Sequence, residues 1–510
     1  MPEINLSRSR LVPFQHQIEA IQALVDNSVF ANFSEMGMGK TKIVIDTAQI
    51  LFEQGIIDRV LVVAPASVRS VWFDKFYGEI QKHTWEEFPI CVLELHAKPR
   101  VWGNLDKTKK RLLWMITNFE YIRAKNRLLE ILPLCSSKTL LVIDESSAVK
   151  HYKAHQTVAC LKIRKVCGRV VLLNGTPVAN NPGDLYSQAN ILDPNILGCS
   201  NWFHFRARYG IMGGFMSKQI IAWRDIDDLQ KRLAPYVIRK LKIDCLDLPE
   251  KLDSVVLTVP LSKSVWDIYQ SMKAEMVSWL SESTVSSASQ AIVKAIRLAQ
   301  ITSGFLGGVE EMNLDEVDPD NLTPAIRTPI PVQEVGREKL NLFLSWLDDQ
   351  LEIDPNLKVL VWCRFRPEVE RVYKEVGLRF PKIQRGLIWG GQKRLEREEA
   401  LQLLDPRTIP VSAPVVVIGT PASGAMGLNL TAAHTVIYIS NDFSLKTRLQ
   451  SEDRVHRPGQ LFPVSYFDVI ATGPTGQKTI DHLVVKSLRA KLELATLTTS
   501  AWIHALTEED

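Results

Sequence analysis

The chain has 510 residues, 46% of them apolar and 23% charged, and a formal net charge of +4 from 61 basic and 57 acidic side chains. That length is too great for one ordinary core and implies about two to four units. The composition is that of a soluble globular protein, and the near-balanced charge excludes nucleic-acid binding by bulk electrostatics, leaving only local placement. The seven cysteines, Cys91, Cys135, Cys160, Cys167, Cys199, Cys245 and Cys363, are odd in number and never form C-x-x-C. This argues against a zinc ribbon and a disulfide framework and fits a reducing, intracellular compartment. No apolar run approaches the roughly 18 residues of a membrane span, and Met1-Pro2-Glu3-Ile4-Asn5 lacks a basic-then-apolar signal. A protein that is neither secreted nor membrane-spanning is expected.

In chain order, apolar residues at Phe14, Ile18, Ile21, Leu24 and Val25 follow a helical period that ends just before Glu35-Met36-Gly37-Met38-Gly39-Lys40-Thr41. That stretch reads as a phosphate-wrapping turn. Two glycines let backbone N–H groups, that of Met38 among them, curl around phosphate oxygens; Lys40 supplies a point charge to the β/γ-phosphates, and Thr41 offers a hydroxyl to Mg2+. A helix over residues 42–52 aims its N-terminal dipole at the same anion. The strict G-x-x-x-x-G-K-T pattern is not met, because position 34 is Ser. Taken alone, the stretch also fits a glycine turn between helices.

Arg59–Ala64 is a short Val-rich run ended by Pro65, the mark of a strand buried on both faces. Strands of the same kind are predicted at 112–117, 139–143 and 169–173 with helices between them, which implies βαβ crossovers and a parallel sheet. The middle, 196–335, changes character. Aromatic and basic helical segments at 201–209, 229–240 and 262–280 lead to a Ser-rich patch at 281–289 and an acidic, proline-bearing connector at 310–331. A second alternating region begins near Lys339, with strands at 358–363, 414–419, 434–439 and 464–470.

Strand 139–143 ends in Asp144-Glu145-Ser146-Ser147. Two adjacent carboxylates at the carboxyl end of a buried parallel strand sit where open α/β sheets bind ligands. Asp144 would hold Mg2+ through its water shell, and Glu145 would orient and deprotonate the attacking water. In isolation the pair also fits a solvated turn; downstream of the phosphate turn it reads as the second half of an ATP site. Far along the chain, Gln450-Ser451-Glu452-Asp453-Arg454-Val455-His456-Arg457-Pro458-Gly459-Gln460 places Arg454 and Arg457 on one helix face, with Pro458-Gly459 stopping the helix. Two guanidinium forks suit a triphosphate undergoing transfer. A basic surface helix is the alternative for this stretch alone.

With these pieces in place, the chain resembles the Swi/Snf-related ATPases of helicase superfamily two over nearly its whole length. Pro13-Phe14-Gln15 is similar to the adenine-reading element, Glu35 to Thr41 to motif I, and Val62-Val63-Ala64-Pro65-Ala66-Ser67, followed by Trp72, to motif Ia. Ile116-Thr117-Asn118-Phe119-Glu120 looks like motif Ib, Asp144-Glu145 like motif II, and Leu173-Asn174-Gly175-Thr176-Pro177 with Asn180-Asn181 and Asp184-Leu185-Tyr186-Ser187 like motif III and its extension. Tyr236-Val237-Ile238-Arg239-Lys240 and Asp247-Leu248-Pro249-Glu250-Lys251 resemble the link out of the first lobe. Residues 358–365, then Gly419, Thr420, Gly424, Gly427, Leu428, Asn429 and Leu430, then 450–460, are similar to motifs IV, V and VI. One departure stands out. Where the family carries Ala-His or Gly-His after the acidic pair, this chain has Ser146-Ser147.

The resemblance implies an α/β fold of two RecA-like lobes, each a parallel sheet flanked by helices, with helical protrusions between them. The parts expected are an N-terminal ATPase lobe (1–195), helical protrusions and linker (196–335), a C-terminal lobe (336–480) and a C-terminal helical brace (481–510). It further implies a DNA-dependent ATPase, with ATP and Mg2+ held by Gln15, the phosphate turn, Thr41 and Asp144. Ser67, Thr117, Thr420 and Asn429 are the candidate contacts to DNA phosphates. The DNA expected is duplex and bound without sequence preference, the protein a monomer. The activity expected is ATP-dependent translocation along duplex DNA; the alternatives are a strand-separating or annealing helicase acting on forked or branched DNA and a slow ATP-gated DNA-binding scaffold. Short middle insertions and no zinc- or SANT-like appendage in this chain favour a compact motor in the cytoplasm of a prokaryotic or phage-infected cell over a nuclear nucleosome remodeller.

Overall fold

The structure is a computed structural model that describes residues 6–74, 78–96, 110–175, 182–213, 219–282, 288–307, 331–390, 392, 394–404, 413–425 and 430–496. It divides into two compact units, residues up to Asp247 and Leu248–Leu492. Each unit has its own parallel sheet.

The first sheet is built from β1 (Val29–Asn32), β2 (Arg59–Ala64), β3 (Ile90–Glu94), β4 (Leu112–Asn118), β5 (Thr139–Ile143) and β6 (Arg169–Leu173). A hairpin of β7 (Gly210–Gly213) and β8 (Gln219–Trp223) follows, and then β9 (Val237–Ile238), which returns to the sheet. The order is β3-β4-β2-β5-β6-β1-β9, and every pairing is parallel. The Val-rich runs behave as buried strands. Leu61, Val63, Leu141, Ile143, Val170 and Leu172 face one apolar cluster, while Val60, Val62, Leu140, Val142, Val171 and Leu173 face another. Alternate residues therefore fill cores on both faces, which is why these strands read as continuous apolar runs.

The second unit opens with β10 (Val255–Pro260). After a small antiparallel pair, β11 (Phe305–Leu306) with β12 (Gln333–Glu334), come β13 (Lys358–Trp362), β14 (Gln384–Ile388), β15 (Val415–Gly419), β16 (Thr435–Tyr438) and β17 (Ser465–Thr472). Their order is β10-β17-β16-β13-β15-β14, again wholly parallel. The helix Glu338–Ile353 lays Leu340, Phe343, Leu344 and Leu347 on one face of this sheet, against Val359 and Val361.

The structure adds strands that the periodicity did not reveal. β1, β3, β9, β10 and β14 are short or edge strands, too brief to outlast the helical pattern around them. The expected helix over 229–240 is corrected: the α-helix is Ile226–Leu233, followed by a short 3-10 turn, Ala234–Tyr236, in which Pro235 has no N–H to continue the helical ladder. Val237 and Ile238, both β-branched, then pair with Ala31 and Asn32 at the sheet edge. Most of the Ser-rich patch and the acidic connector lie outside the described residues.

Candidate nucleotide site

The carboxyl ends of β1, β5 and β6 lie side by side, because Asn32 pairs with Leu173 and Leu172 pairs with Ile143. From β1 the chain turns through Ser34 to Gly39 and enters the helix Lys40–Glu53. Gly37 and Gly39 have φ of +80° and +76°, a left-handed backbone that a side chain resists. Position 34 does not need a glycine. It is outside that left-handed region, and the Ser34 hydroxyl accepts from the Lys240 amide at 3.2 Å while its own amide donates to Asn32 Oδ1 at 3.1 Å. The missing glycine in the sequence pattern is thus a site where serine is used.

Two walls hold the loop. On one, Phe33 and Glu35 amides donate to Ile238 and Lys240 carbonyls at 2.8 and 2.9 Å, and the Lys242 amide donates to Glu35 Oε2 at 2.8 Å. Lys242 is itself buried, with its Cε beside Gly37. On the other, His16 Nε2 lies 3.1 Å and Gln17 Nε2 3.3 Å from Met38 O. Burial lowers the His16 pKa below its ordinary value, so the ring is neutral at pH 7 and its Nε2–H is the donor. Gln15, the residue singled out from sequence, is exposed at the first turn of the helix Gln15–Asp26, and it is Gln17 that touches the loop. The signal for Gln17 was weak, an amide two residues on; Lys242 had only its place after the Arg239-Lys240 pair.

Lys40 Nζ donates to the carbonyls of Ser34 and Glu35 at 2.8 and 3.0 Å, so its ammonium lies folded onto the loop. Ile43 donates to Gly39 O at 3.0 Å as the first rung of the helix, and the amides before it open from its N-terminal end. Thr41 stands in that first turn. Asp144 follows β5, with its amide on Val63 O at 2.9 Å. Its Oδ2 accepts from Trp72 Nε1 at 2.9 Å and its Oδ1 from the Glu145 amide at 3.0 Å. Burial and the neighbouring Glu145 carboxylate raise its pKa to about 6, against the Trp72 bond and the charge of Lys40. Lys40 and Asp144 follow the carboxyl ends of β1 and β5, the two neighbours of β6 in the same sheet. A carboxylate whose ionised form is disfavoured in this way is relieved by a cation, so the Thr41 and Asp144 oxygens suit a hydrated divalent ion beside a phosphate.

Arg454 and Arg457 belong to the second unit. The expectation that they share a helix face is corrected, since the helix Leu445–Glu452 ends before them. The reasons are local. The Arg454 carbonyl accepts from the Leu430 amide at 3.0 Å, Gln460 Nε2 binds the carbonyls of Ala433 and Val455 at 2.9 and 3.2 Å, and Gly459 has φ of +102°. The two arginines flank the fully buried Val455 in a braced turn. His456 Nε2 ties the same turn to Pro249 O at 2.9 Å.

The expected DNA contacts fare unevenly. Thr117 lies within β4 and is fully buried, so it has no surface from which to meet a phosphate, and that assignment is corrected. Thr420 follows β15, and its hydroxyl lies 2.6 Å from that of Ser423. Ser67 occupies the first turn of the helix Ala66–Phe73. Asn429, with Gly427, Leu428, Thr176, Pro177, Asn180 and Asn181, lies outside the described residues.

The SNF2-related domain matches residues 17–303, more than half of the chain. The chain belongs to the SNF2-related family. The helicase conserved C-terminal domain matches residues 339–459. The SNF2-related match contains the phosphate loop and the acidic pair, and the helicase match contains Arg454 and Arg457. Human lymphoid-specific helicase is 25% identical over 91% of this chain and 60% of its own length. An ATP-dependent DNA helicase of Arabidopsis thaliana is 26% identical over 94% of this chain and 61% of its own. The chain thus spans less than two thirds of these SNF2-related relatives. A solved Sulfolobus solfataricus SWI2/SNF2 ATPase core in complex with dsDNA has 17% identity, full coverage of both chains and a TM-score of 0.41. Among the described residues no helix is long and apolar enough to cross a membrane.

Proposed function

We propose that this SNF2-related chain is a DNA-stimulated ATPase that uses hydrolysis to move along duplex DNA, monomeric and without sequence preference. The observation that carries it is the junction of the phosphate loop, Lys40, Asp144 and Glu145 at the carboxyl ends of β1 and β5 in one unit of a chain of this family. Lys40 holds the β/γ-phosphates, the loop amides wrap them, and Gln15 is assigned to the base. Mg2+, held through Thr41 and Asp144, supplies neutralisation of phosphate charge when bound. Glu145 orients a water and takes its proton as the oxygen attacks the γ-phosphorus, and the bond from that phosphorus to the β–γ bridging oxygen breaks, leaving ADP and inorganic phosphate. Arg454 and Arg457 are assigned to the charge that grows on the transferring phosphoryl group, so the reaction requires both units. Ser67, Thr420 and Asn429 are assigned to DNA phosphates. Seven cysteines without a disulfide pattern support a reducing compartment, and we assign the protein to the cytoplasm of a prokaryotic or phage-infected cell.

The test is ATP turnover with and without duplex DNA. Lys40→Ala is expected to lose nucleotide binding and turnover together. Arg454→Ala is expected to keep nucleotide binding and lose at least about a hundredfold in DNA-stimulated kcat. Full activity in either variant removes the assigned role. Displacement of a third strand from a triplex without unwinding of a fork supports translocation on duplex; fork unwinding supports a strand-separating helicase instead.

A further inference from the structure

Glu145, the residue assigned to the attacking water, is held in an unusual backbone conformation: φ and ψ are both 54°, a left-handed state rare for a residue with a side chain. Such a residue stays there only if its surroundings over-determine it. Its amide is taken by Asp144 Oδ1 at 3.0 Å, and its carbonyl accepts from the Ala148 amide at 3.0 Å across the short 3-10 turn Ser146–Val149. The third restraint comes from outside the loop. Ser146, fully buried, donates its hydroxyl to Gln188 Oε1 at 2.6 Å. Gln188 is equally buried on the helix Asp184–Leu192, and its Nε2 donates to the Asp184 carbonyl at 2.8 Å, which fixes the amide with its oxygen toward Ser146.

A second polar tie runs alongside, from the Ser187 hydroxyl to Lys150 O at 2.9 Å. The helix is therefore laced to the segment directly after the acidic pair. It follows β6, and Gly175, two residues beyond that strand, packs so closely on Met36 of the glycine loop that a Cβ there would collide with the methionine side chain. The helix therefore meets the backbone beside Glu145 through the buried Ser146–Gln188 bond, and the segment that leads from β6 toward it touches the glycine loop at Met36.

We propose that Ser146 and Gln188 are positioning residues for Glu145: their buried hydrogen bond holds the left-handed turn and so aims the Glu145 carboxylate at the water. Ser146 is the first of the two serines that distinguish this chain's acidic motif, and this gives it a role. The inference rests on the reading of Glu145 given above, and the experiment separates the two.

Steady-state ATP hydrolysis with duplex DNA and thermal melting are measured on the full chain for Ser146→Ala, Gln188→Leu, the double variant and Glu145→Gln. Each single change strands one buried polar atom, so both are expected to lower Tm. Both are also expected to lower kcat by on the order of tenfold to a hundredfold, with KM for ATP within about twofold of the parent. The double variant removes both ends of the Ser146–Gln188 bond. It is expected to recover most of the lost Tm while kcat stays low, because the restraint that the helix Asp184–Leu192 places on the Glu145 turn through Ser146 is then gone. Recovery of kcat along with Tm in the double variant overturns the proposal and makes the pair structural only, as does full kcat in both single variants. Full turnover by Glu145→Gln overturns instead the role given to Glu145. Loss in Glu145→Gln with full turnover in the double variant sinks the positioning role alone.

Discussion

Gly39 shows how little room the phosphate loop has. A methyl group there meets both a left-handed backbone and the Gln17 amide, so Gly39→Ala is expected to cost about 1–3 kcal/mol of stability. It should also weaken nucleotide binding more than tenfold, to be read by titration with a fluorescent ATP analogue. Asp144 carries the pH dependence. Its pKa is pushed up to about 6 by burial and by Glu145, so as pH falls through that value the carboxylate takes a proton and loses its hold on a cation. Turnover at fixed Mg2+ should therefore fall on the acid side. Trp72→Phe removes the bond that favours the ionised form and should move this acid limb upward by about one pH unit. A limb that stays in place or moves down would detach Trp72 from Asp144. Gly37, Gly39, Lys40 and the acidic pair were legible from residue type and spacing, whereas Trp72 and Lys242 act through contacts that spacing does not encode.

The helix Leu445–Glu452 leads into the arginine turn and is anchored by charges within the second unit. Arg448 donates to Glu452 Oε1 and Asp468 Oδ1 at 2.5 Å each and stacks on the Tyr438 ring, while Lys251 reaches Glu452 Oε2 at 2.6 Å. Burial alone would raise the Glu452 pKa, but Lys251 and Arg448 outweigh it and hold it at about 2, below the ordinary 4.5. A depressed carboxylate contributes stability that is present above pH 4.5 and lost as pH falls toward 2. Arg448→Met takes the guanidinium from two buried acids, leaving Glu452 to Lys251 and Asp468 to the Ser254 hydroxyl and the Asn441 amide, and should lower stability by about 3 kcal/mol at neutral pH. Its melting temperature should also decline less steeply between pH 4.5 and 2 than that of the parent, because the Glu452 pKa rises toward 4.5. An unchanged slope in differential scanning calorimetry would count against the network. Elements with an uninterrupted apolar run, such as β2, β5, β6 and β15, were legible to within a residue. The end of the helix at Glu452 was not, because what stops it is the pull of Leu430, Ala433 and Gln460 on the following turn.

For the whole molecule, a net charge of only +4 means that the DNA of the proposed function would be met by local groups. Contact through backbone phosphates releases counterions, so the DNA dissociation constant should rise steeply between about 50 and 200 mM salt, with a log–log slope near the number of phosphates engaged. That slope should be the same for unrelated duplex sequences. A flat salt response, or one that depends on sequence, would contradict phosphate reading. Of the residues assigned to ATP turnover in the proposal above, Lys40 and the acidic pair belong to the first unit and Arg454 and Arg457 to the second.

The sequence by itself determined the family, the two alternating α/β regions and the residues of the phosphate loop and acidic pair. These depend on local features: runs of Val and Ile long enough to bury both faces of a strand, and glycines where the backbone turns left-handed. Tertiary structure decided what those residues touch. The return of β9 to the edge of β1, the closing of the loop by Gln17 and Lys242, the interior position of Thr117 and the bond from Ser146 to Gln188 join positions from 21 to more than 200 residues apart. Such contacts follow from how the strands are ordered in the sheet, and strand order is a property of the packed molecule rather than of any stretch of its chain.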